Sequence, residues 1–447
     1  MESPAYAGEE IVCESIKILL LVQGERRFFR LCINWLAKEH PGEMEHLIRF
    51  VPEYGRYDDL FELFDTPLEA YMMGYVKWVI DQNEDHLVYK WMPSINTSSH
   101  DTRERGRKFA REFGMSEKSY RKMLSEGRKA CHLVETLMSQ QKWDQIAFDK
   151  LPSRAGILYS KAFARREETA ARYQAFMSNK KTKVNAGTLY PYDVVKKAIE
   201  VMGCSYWSHR EISRNDTNRL AANKYWDNLT DYFNNATLNA LCVCDTSGSM
   251  TMGYNQAIRP IDVAISIALY TAERANGPFK GHYISFSSRP QLIETKGVDF
   301  CDKVARIYET NLCENTDIEK TFDLVLHTAI NNHLRQNQLP ETLIVISDMQ
   351  FDAQRGYYGY RGKSLMENIE DKWNNAGYKM PKLIYWNVNA ATGGGNIPMK
   401  DKDGVTYVSG ASPSIFTSIL TGKTGIQLMY DALEQSRYNN IFSVLNT

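Results

Sequence analysis

The hydrophobic period of this chain changes once, near residue 235, and that change limits the possible folds more than any other feature. Before it, apolar residues recur three and four apart, as in "RRFFRLCINWLAKEH" and "LEAYMMGYVKWVIDQ", which predicts amphipathic helices. In "KACHLVETLMSQQ", Ala130, Leu133, Val134 and Leu137 fall on a single helical stripe. Short turn signals, "HPGE", "VPEYGRYDD" and "DTPLE", separate these segments. No fixed-period repeat is present, so the expectation is stacked helix pairs in an irregular, HEAT-like module. From 236 onward, short strand-like runs alternate with helical ones. The strand candidates are "LNALCVC", "GHYISF", "QLIET", "TLIVIS", "KLIYWNV" and "VTYVS", with helical runs around 260–275, 299–309, 317–335, 364–376 and 424–436. That alternation predicts βαβ units, a mostly parallel sheet and helices on both faces. The link "SRPQL" is too short for a crossover helix and predicts an antiparallel hairpin at a sheet edge. The expected class is therefore α + α/β, with a helical module over 1–235 and a doubly wound, Rossmann-like domain over 236–447.

The first strand of that second half, in "LCVCDTSGSM", ends in an acid and a set of hydroxyls. In a doubly wound sheet, ligands bind at the carboxyl ends of the strands. A D-x-S-x-S loop at such a tip turns Asp245, Ser247 and Ser249 toward a common centre. Hard divalent cations prefer oxygen donors of this kind, and Mg²⁺ takes them octahedrally. Two further loops belong at the same sheet end. "ENTDIEKTF" brings Thr316 to a helix start, and "LIVISDMQF" brings Asp348 just past a buried strand. Asp and Ser also form capped turns without metal, so it is the combination that points to a cation.

This order, D-x-S-x-S, then Thr, then Asp, resembles the metal-ion-dependent adhesion site of the von Willebrand factor A domain, over roughly 236–436. The resemblance implies Asp245, Ser247, Ser249 and Thr316 as direct ligands of Mg²⁺ or Mn²⁺, with Asp348 binding directly or through water. It also implies one open coordination position, which an acidic side chain of a protein partner fills. In the helical half, "QGERRFFR", "VPEYGRYDDLFELF", "LPSRAGILYSKAF" and "AGTLYPYDVVKKA", with "DALEQSRYNNI" near the end, resemble an uncharacterised family of plants, fungi, protists and large phages. That family joins a helical module to a C-terminal von Willebrand A domain. Its layout is similar to the Ro (TROVE) ribonucleoproteins, whose helical ring binds RNA. Only 23 residues precede "GERR", fewer than the resemblance implies, so the expectation is either a shortened variant or a mis-called start, and a closed ring of helices is not assumed.

The net charge is zero, so no global field draws the chain to nucleic acid or membrane. The distribution is uneven, however. Residues 1–100 hold 9 Lys and Arg against 17 Asp and Glu, and residues 101–200 hold 22 against 12. "SKAFARREETAARYQAFMSNKKTKVNAG" carries much of the excess: Lys161, Arg165, Arg166, Arg172, Lys180, Lys181 and Lys183. With Phe163, Ala170, Tyr173 and Met177 as the inward stripe of one helix, and the three lysines in a loop after it, most of these cations face outward, as phosphate contacts with RNA require. A solvated face and a dock for the acidic first hundred residues, of the same chain or of another copy, are the alternatives. "RGYYGYRG", residues 355–362, is a second candidate for stacking on bases or for protein contact.

The remaining signals exclude classes. Eight scattered cysteines, including Cys242 and Cys244 on one strand face, read as buried thiols rather than a zinc site or disulfide framework. No P-loop, H-E-x-x-H, G-x-S-x-G or dinucleotide fingerprint is present, and "TGGGN", residues 392–396, is followed by no helix-opening pattern. The expectation is a non-catalytic protein with no small-molecule substrate. No apolar run reaches the ~20 residues of a membrane helix, and "MESPAYAGEE" does not read as a signal peptide, so a cytoplasmic location is expected, the host cytoplasm for a viral chain.

Overall fold

The computed structural model describes residues 26–83, 85–205, 208–233, 239–251, 258–287, 289–309, 317–348, 365–389 and 405–411, with 434, 436 and 441. Thr316, "RGYYGYRG", "TGGGN" and the helical run at 424–436 were singled out in the sequence. The first three lie outside the described residues, as does nearly all of the fourth. The chain packs as two compact units, Met1–Ile146 with Lys423–Thr447, and Ala147–Gly422. The packing thus divides near 146, whereas the hydrophobic period changes near 235. The helices between these positions belong to the same unit as the sheet.

The first unit is built on helices α1 (Arg26–Glu39), α2 (Glu69–Gln82), α3 (His100–Glu112) and α4 (Glu117–Ala130), joined by shorter turns of helix. Ser99 and Ser116 start α3 and α4 by accepting from the Thr102 and Ser119 amides, satisfying donors that a helix start leaves open. Leu36, Leu60, Met72, Val76, Phe109 and Tyr120 share one core, and Ile441 from the C-terminal segment is buried in it. The rings of Phe61, Phe64, Phe109 and Phe113 meet edge-on or tilted, with Phe109 centroids 5.6–5.8 Å from the others. The stripe expected over Ala130–Leu137 is interrupted. α4 ends at Ala130, His132 turns left-handed at φ 46°, and a separate helix runs over Val134–Ser139. Val134 and Leu137 are buried but Ala130 is exposed, because the break rotates one segment against the other.

In the second unit, the run expected as one helix is likewise two, α5 (Ser153–Arg165) and α6 (Glu167–Ser178). Arg166 is extended at φ −80° and ψ 126°, and the Thr169 hydroxyl donates back to the Phe163 carbonyl at 2.7 Å. Phe163, Tyr173 and Met177 are buried and Ala170 is half-buried, so the inward positions hold although the helix does not continue. α7 (Pro191–Met202) and α8 (Thr217–Asp227) follow. α8 is tied forward in the chain. Arg219, 4 % exposed, reaches Asp299 and Asp302, and Trp226 stacks on Phe300 at 4.3 Å.

The six expected strands all form: β1 (Ala240–Cys244), β2 (His282–Ser285), β3 (Leu292–Glu294), β4 (Thr342–Ser347), β5 (Lys382–Asn387) and β6 (Val405–Ser409). Their order is β3-β2-β1-β4-β5-β6. Every pairing is parallel except the β2–β3 hairpin, which closes one edge as the short link predicts. β1 is buried throughout, and β4 and β5 after their first residue, as expected of parallel strands covered on both faces. α9 (Pro260–Arg274) lies against β1, β2 and β4 and is itself covered by α7 and α10 (Phe300–Glu309), so Pro260 through Ala272 are all buried. A helix apolar on every side requires such a position. α11 (Ile318–Asn331) and α12 (Leu365–Asn375) pack on the other face, with Phe322, Val325 and Trp373 against Leu241, Val243, Leu343 and Val345. The protein is thus helical in its first part, with a parallel-dominated α/β sheet in its second.

Candidate functional site

The strand order reverses direction between β1 and β4. From β1 the chain moves out to β2 and β3 on one side, and the later strands lie on the other. The crevice at the carboxyl ends of such a pair is where doubly wound sheets bind ligands. Two of the expected acids stand there. β1 and β4 run in register with Cys244 beside Ile346, and the Asp245 amide extends the ladder by donating to the Ile346 carbonyl at 3.0 Å. Asp245 and Asp348 are buried at 3 % and 1 % exposure.

The Asp245 carboxylate is held from two sides. The Ser247 amide donates to Oδ1 at 2.9 Å, and the Ser347 hydroxyl donates to Oδ2. The Ser247 and Ser249 hydroxyls lie 3.1 Å apart on the loop that opens a short helix, Gly248–Thr251. Met250 anchors that turn: it is fully buried, and its amide donates to the Ser247 carbonyl at 3.1 Å. Burial pushes the Asp245 carboxyl above its ordinary value; the neighbouring Asp348 charge adds to this, and together they outweigh the Ser347 and Ser247 hydrogen bonds. Two carboxylates buried in mutual reach, with two hydroxyls alongside, form a hard-oxygen donor set suited to a divalent cation. No third His, Cys, Asp or Glu joins them in a metal-binding group among the described residues.

Of the five expected ligands, four are therefore described, and the sheet and first loop bring Asp245, Ser247, Ser249 and Asp348 to one rim. Thr316 lies outside the described residues; its neighbour Asp317 caps α11, accepting from the Lys320 amide at 3.1 Å. Ser347 was missed from sequence. The signal for it was slight, a hydroxyl at the last position of an otherwise aliphatic strand.

The seven expected RNA-contacting cations divide into two groups. Lys161 is half-buried and paired with Glu200, and the Arg172 guanidinium lies over the Phe148 ring at 4.8 Å. Arg165, Arg166, Lys180, Lys181 and Lys183 are exposed. Of these, Arg165 and the three lysines enter no ion pair among the described residues. Cys242 and Cys244 are buried free thiols, and burial pushes Cys242 up to about 12. No described helix is long and apolar enough to cross a membrane.

Two family models match the chain. Residues 85–237 match a domain of unknown function, DUF2828, and residues 239–440 match another, DUF7788. The chain is 29 % identical over 353 residues to an uncharacterised protein of Acanthamoeba polyphaga mimivirus. That alignment covers 74 % of this chain and 57 % of the viral protein, so the chain spans little more than half of its relative's length. Among solved structures it is similar to the RO (RSR) protein of Deinococcus radiodurans, with a TM-score of 0.45 and 14 % identity, over 95 % of this chain and 94 % of that one.

Proposed function

We propose that this chain is a non-catalytic binding protein that holds Mg²⁺ or Mn²⁺ at the β1–β4 rim and captures an acidic side chain of a protein partner, in the manner of a von Willebrand factor A domain. The observation that carries this reading is the pair of buried carboxylates, Asp245 and Asp348, at the strand-order reversal, beside the Ser247 and Ser249 hydroxyls. Without a cation, two like charges share a water-poor crevice at a cost to stability. A bound cation would supply the charge that offsets them and a position for a partner's carboxylate. Asp245, Ser247, Ser249 and Asp348 would hold it, with Thr316 as the fifth ligand that the sequence resemblance implies. The hydroxyl-rich donor set favours ligand capture over hydrolysis, which needs a positioned base beside the metal.

The test is thermal unfolding of the full chain with chelator, Mg²⁺ or Mn²⁺. At a hundredfold excess over the dissociation constant, binding adds about 2.7 kcal/mol. Asp245→Ala and Asp348→Asn should abolish the metal response. A melting curve indifferent to both ions in the wild type would reject the reading.

A second function, RNA binding through Arg165, Lys180, Lys181 and Lys183, is favoured by their exposure along one segment, without ion-pair partners among the described residues. Filter binding at rising salt tests it. Each of these cations replaced by alanine should lower the salt slope by about one, and binding insensitive to salt would count against it. The viral relative supports a viral origin, and the host cytoplasm is the setting we propose for both activities.

A further inference from the structure

A cleft of about 330 Å³ lies within the first unit, remote in sequence from the sheet-tip residues and from the cations of 161–183. One wall is a face of α4. Arg121, Leu124, Ser125, Arg128 and Lys129 occur at i, i+3, i+4, i+7 and i+8, so one helical stripe carries three cations and a hydroxyl around an apolar contact. The facing wall comes from the segment Ser94–Asn96 and from Thr136 and Gln140, which add hydroxyl and amide groups. No carboxylate lines the cleft among the described residues.

The three cations lack acidic partners among the described residues. Arg128 donates to the Tyr89 carbonyl at 3.0 Å, the Met92 carbonyl at 2.8 Å and the Ser94 hydroxyl at 2.9 Å, all neutral oxygens. Arg121 donates to the Glu117 carbonyl and the Asn96 side-chain oxygen, both at 3.2 Å. The nearby acids are committed elsewhere, Glu117 to Arg107 and Glu126 to Lys122. Burial pulls the Arg128 guanidinium below its ordinary value, which agrees with a charge that has no counter-ion beside it. Elsewhere in this unit guanidinium groups do find acids, as Arg30 does with Asp58 and Asp59. The cleft is therefore an electropositive recess with a fixed arginine at its wall and adaptable cations at its mouth.

We propose that this cleft binds the phosphate monoester of a mononucleotide-sized ligand. A phosphate dianion presents three acceptor oxygens, and arginine forks match them. The volume stands at the lower end of small-ligand sites, which range over about 300–1,000 Å³. Two sources offer this group, a free 5′-mononucleotide and the 5′-phosphorylated end of an RNA. The site is independent of the sheet-tip reading, because it uses no residue of that unit.

The experiment is calorimetric titration of the full chain with adenosine 5′-monophosphate and with adenosine. Short oligoribonucleotides bearing a 5′-phosphate or a 5′-hydroxyl form the other arms. The nucleotide should bind and the nucleoside should not. Tighter binding of the phosphorylated oligomer identifies the RNA end as the source, and preference for the mononucleotide identifies the free form. The combined Arg121→Ala and Lys129→Ala substitutions lie at exposed positions, which leaves the fold in place. They should weaken the phosphate-dependent binding at least about tenfold, whereas Lys118→Ala, which removes an exposed cation outside the cleft lining, should leave it unchanged. Equal binding of nucleotide and nucleoside would overturn the proposal. So would unchanged affinity in the double variant, an equal loss of binding in Lys118→Ala, absence of binding in every arm, or displacement by a glutamate-rich peptide but not by phosphate.

Discussion

Replacing Arg219 by Met should destabilise the second unit by about 3 kcal/mol, a figure that follows from the groups the guanidinium serves. Its side chain is 4 % exposed and makes four hydrogen bonds: to Asp299 Oδ2 at 2.8 Å, Asp299 Oδ1 at 2.9 Å, Asp302 Oδ1 at 2.6 Å and the Ile212 carbonyl at 2.7 Å. Removing one partner of a buried ion pair costs about 3–5 kcal/mol, because the other charge is left behind. The lower end applies here. Asp299 and Asp302 are 20 % and 22 % exposed, and Asp299 keeps the Asn223 amide and the Asp302 backbone N–H. Met conserves the apolar stem, so the loss reports the charge rather than a cavity. In calorimetry the transition of this unit should fall by about 6–12 °C, at about 2–4 °C per kcal/mol for a domain of this class. Adding Asp299→Asn and Asp302→Asn to Arg219→Met should restore about 1–2 kcal/mol by removing the stranded charges. Acid titration gives an independent check. Burial pushes the Asp299 carboxyl up, but Arg219, the Asp302 amide and Asn223 outweigh it and hold it below its ordinary value. A depressed carboxylate contributes stability above its unfolded pKa, about 3.9, and loses it as pH falls through the lower folded value. The wild type should therefore lose stability more steeply than the triple variant below about pH 4. A single variant within about 1 kcal/mol of wild type, or a triple variant no better than the single, would refute the reasoning.

Three other outcomes follow from local geometry. A Cβ at Gly127 would meet Tyr89 ring atoms at 2.2–2.5 Å, so Gly127→Ala should cost the first unit about 1–3 kcal/mol in urea unfolding. At Gly42, within the helix Pro41–Leu47, nothing lies within 4 Å, and Gly42→Ala should stabilise the same unit by up to about 1 kcal/mol. Cys242 and Cys244 are buried and burial holds both thiols above their ordinary value, so peptide mapping after iodoacetamide at pH 8 should find them unmodified until the sheet unfolds.

The strands were legible because each carries its own signal. "TLIVIS" and "KLIYWNV" are short apolar runs that only a covered sheet can bury, and "SRPQL" is too short for anything but a hairpin. The helix breaks were not legible. At His132 the backbone turns left-handed without glycine, and at Arg166 it extends without proline, so neither position carries the residue that would announce it. Tertiary packing overrode local propensity at both. The cleft on α4 had a readable stripe, Arg121 to Lys129, but spacing alone cannot say whether cations find acids, and that decides between a solvated face and a recess.

By itself the sequence determined which short segments become strands, that helices separate them, and that an acid and two hydroxyls stand together after β1. These are local matters, since a period of two or of 3.6 residues reports how one element meets its surroundings. Only the tertiary structure decided that β4 lies next to β1, so that Ser347 grips Asp245 and Asp348 enters the same crevice from 103 residues away. It likewise decided that α9 is enclosed on every side and that Arg219 meets acids some 80 residues on. Such pairings depend on how whole layers pack, because burying one element's apolar face and matching its charges require partners that the neighbouring residues in the chain do not provide.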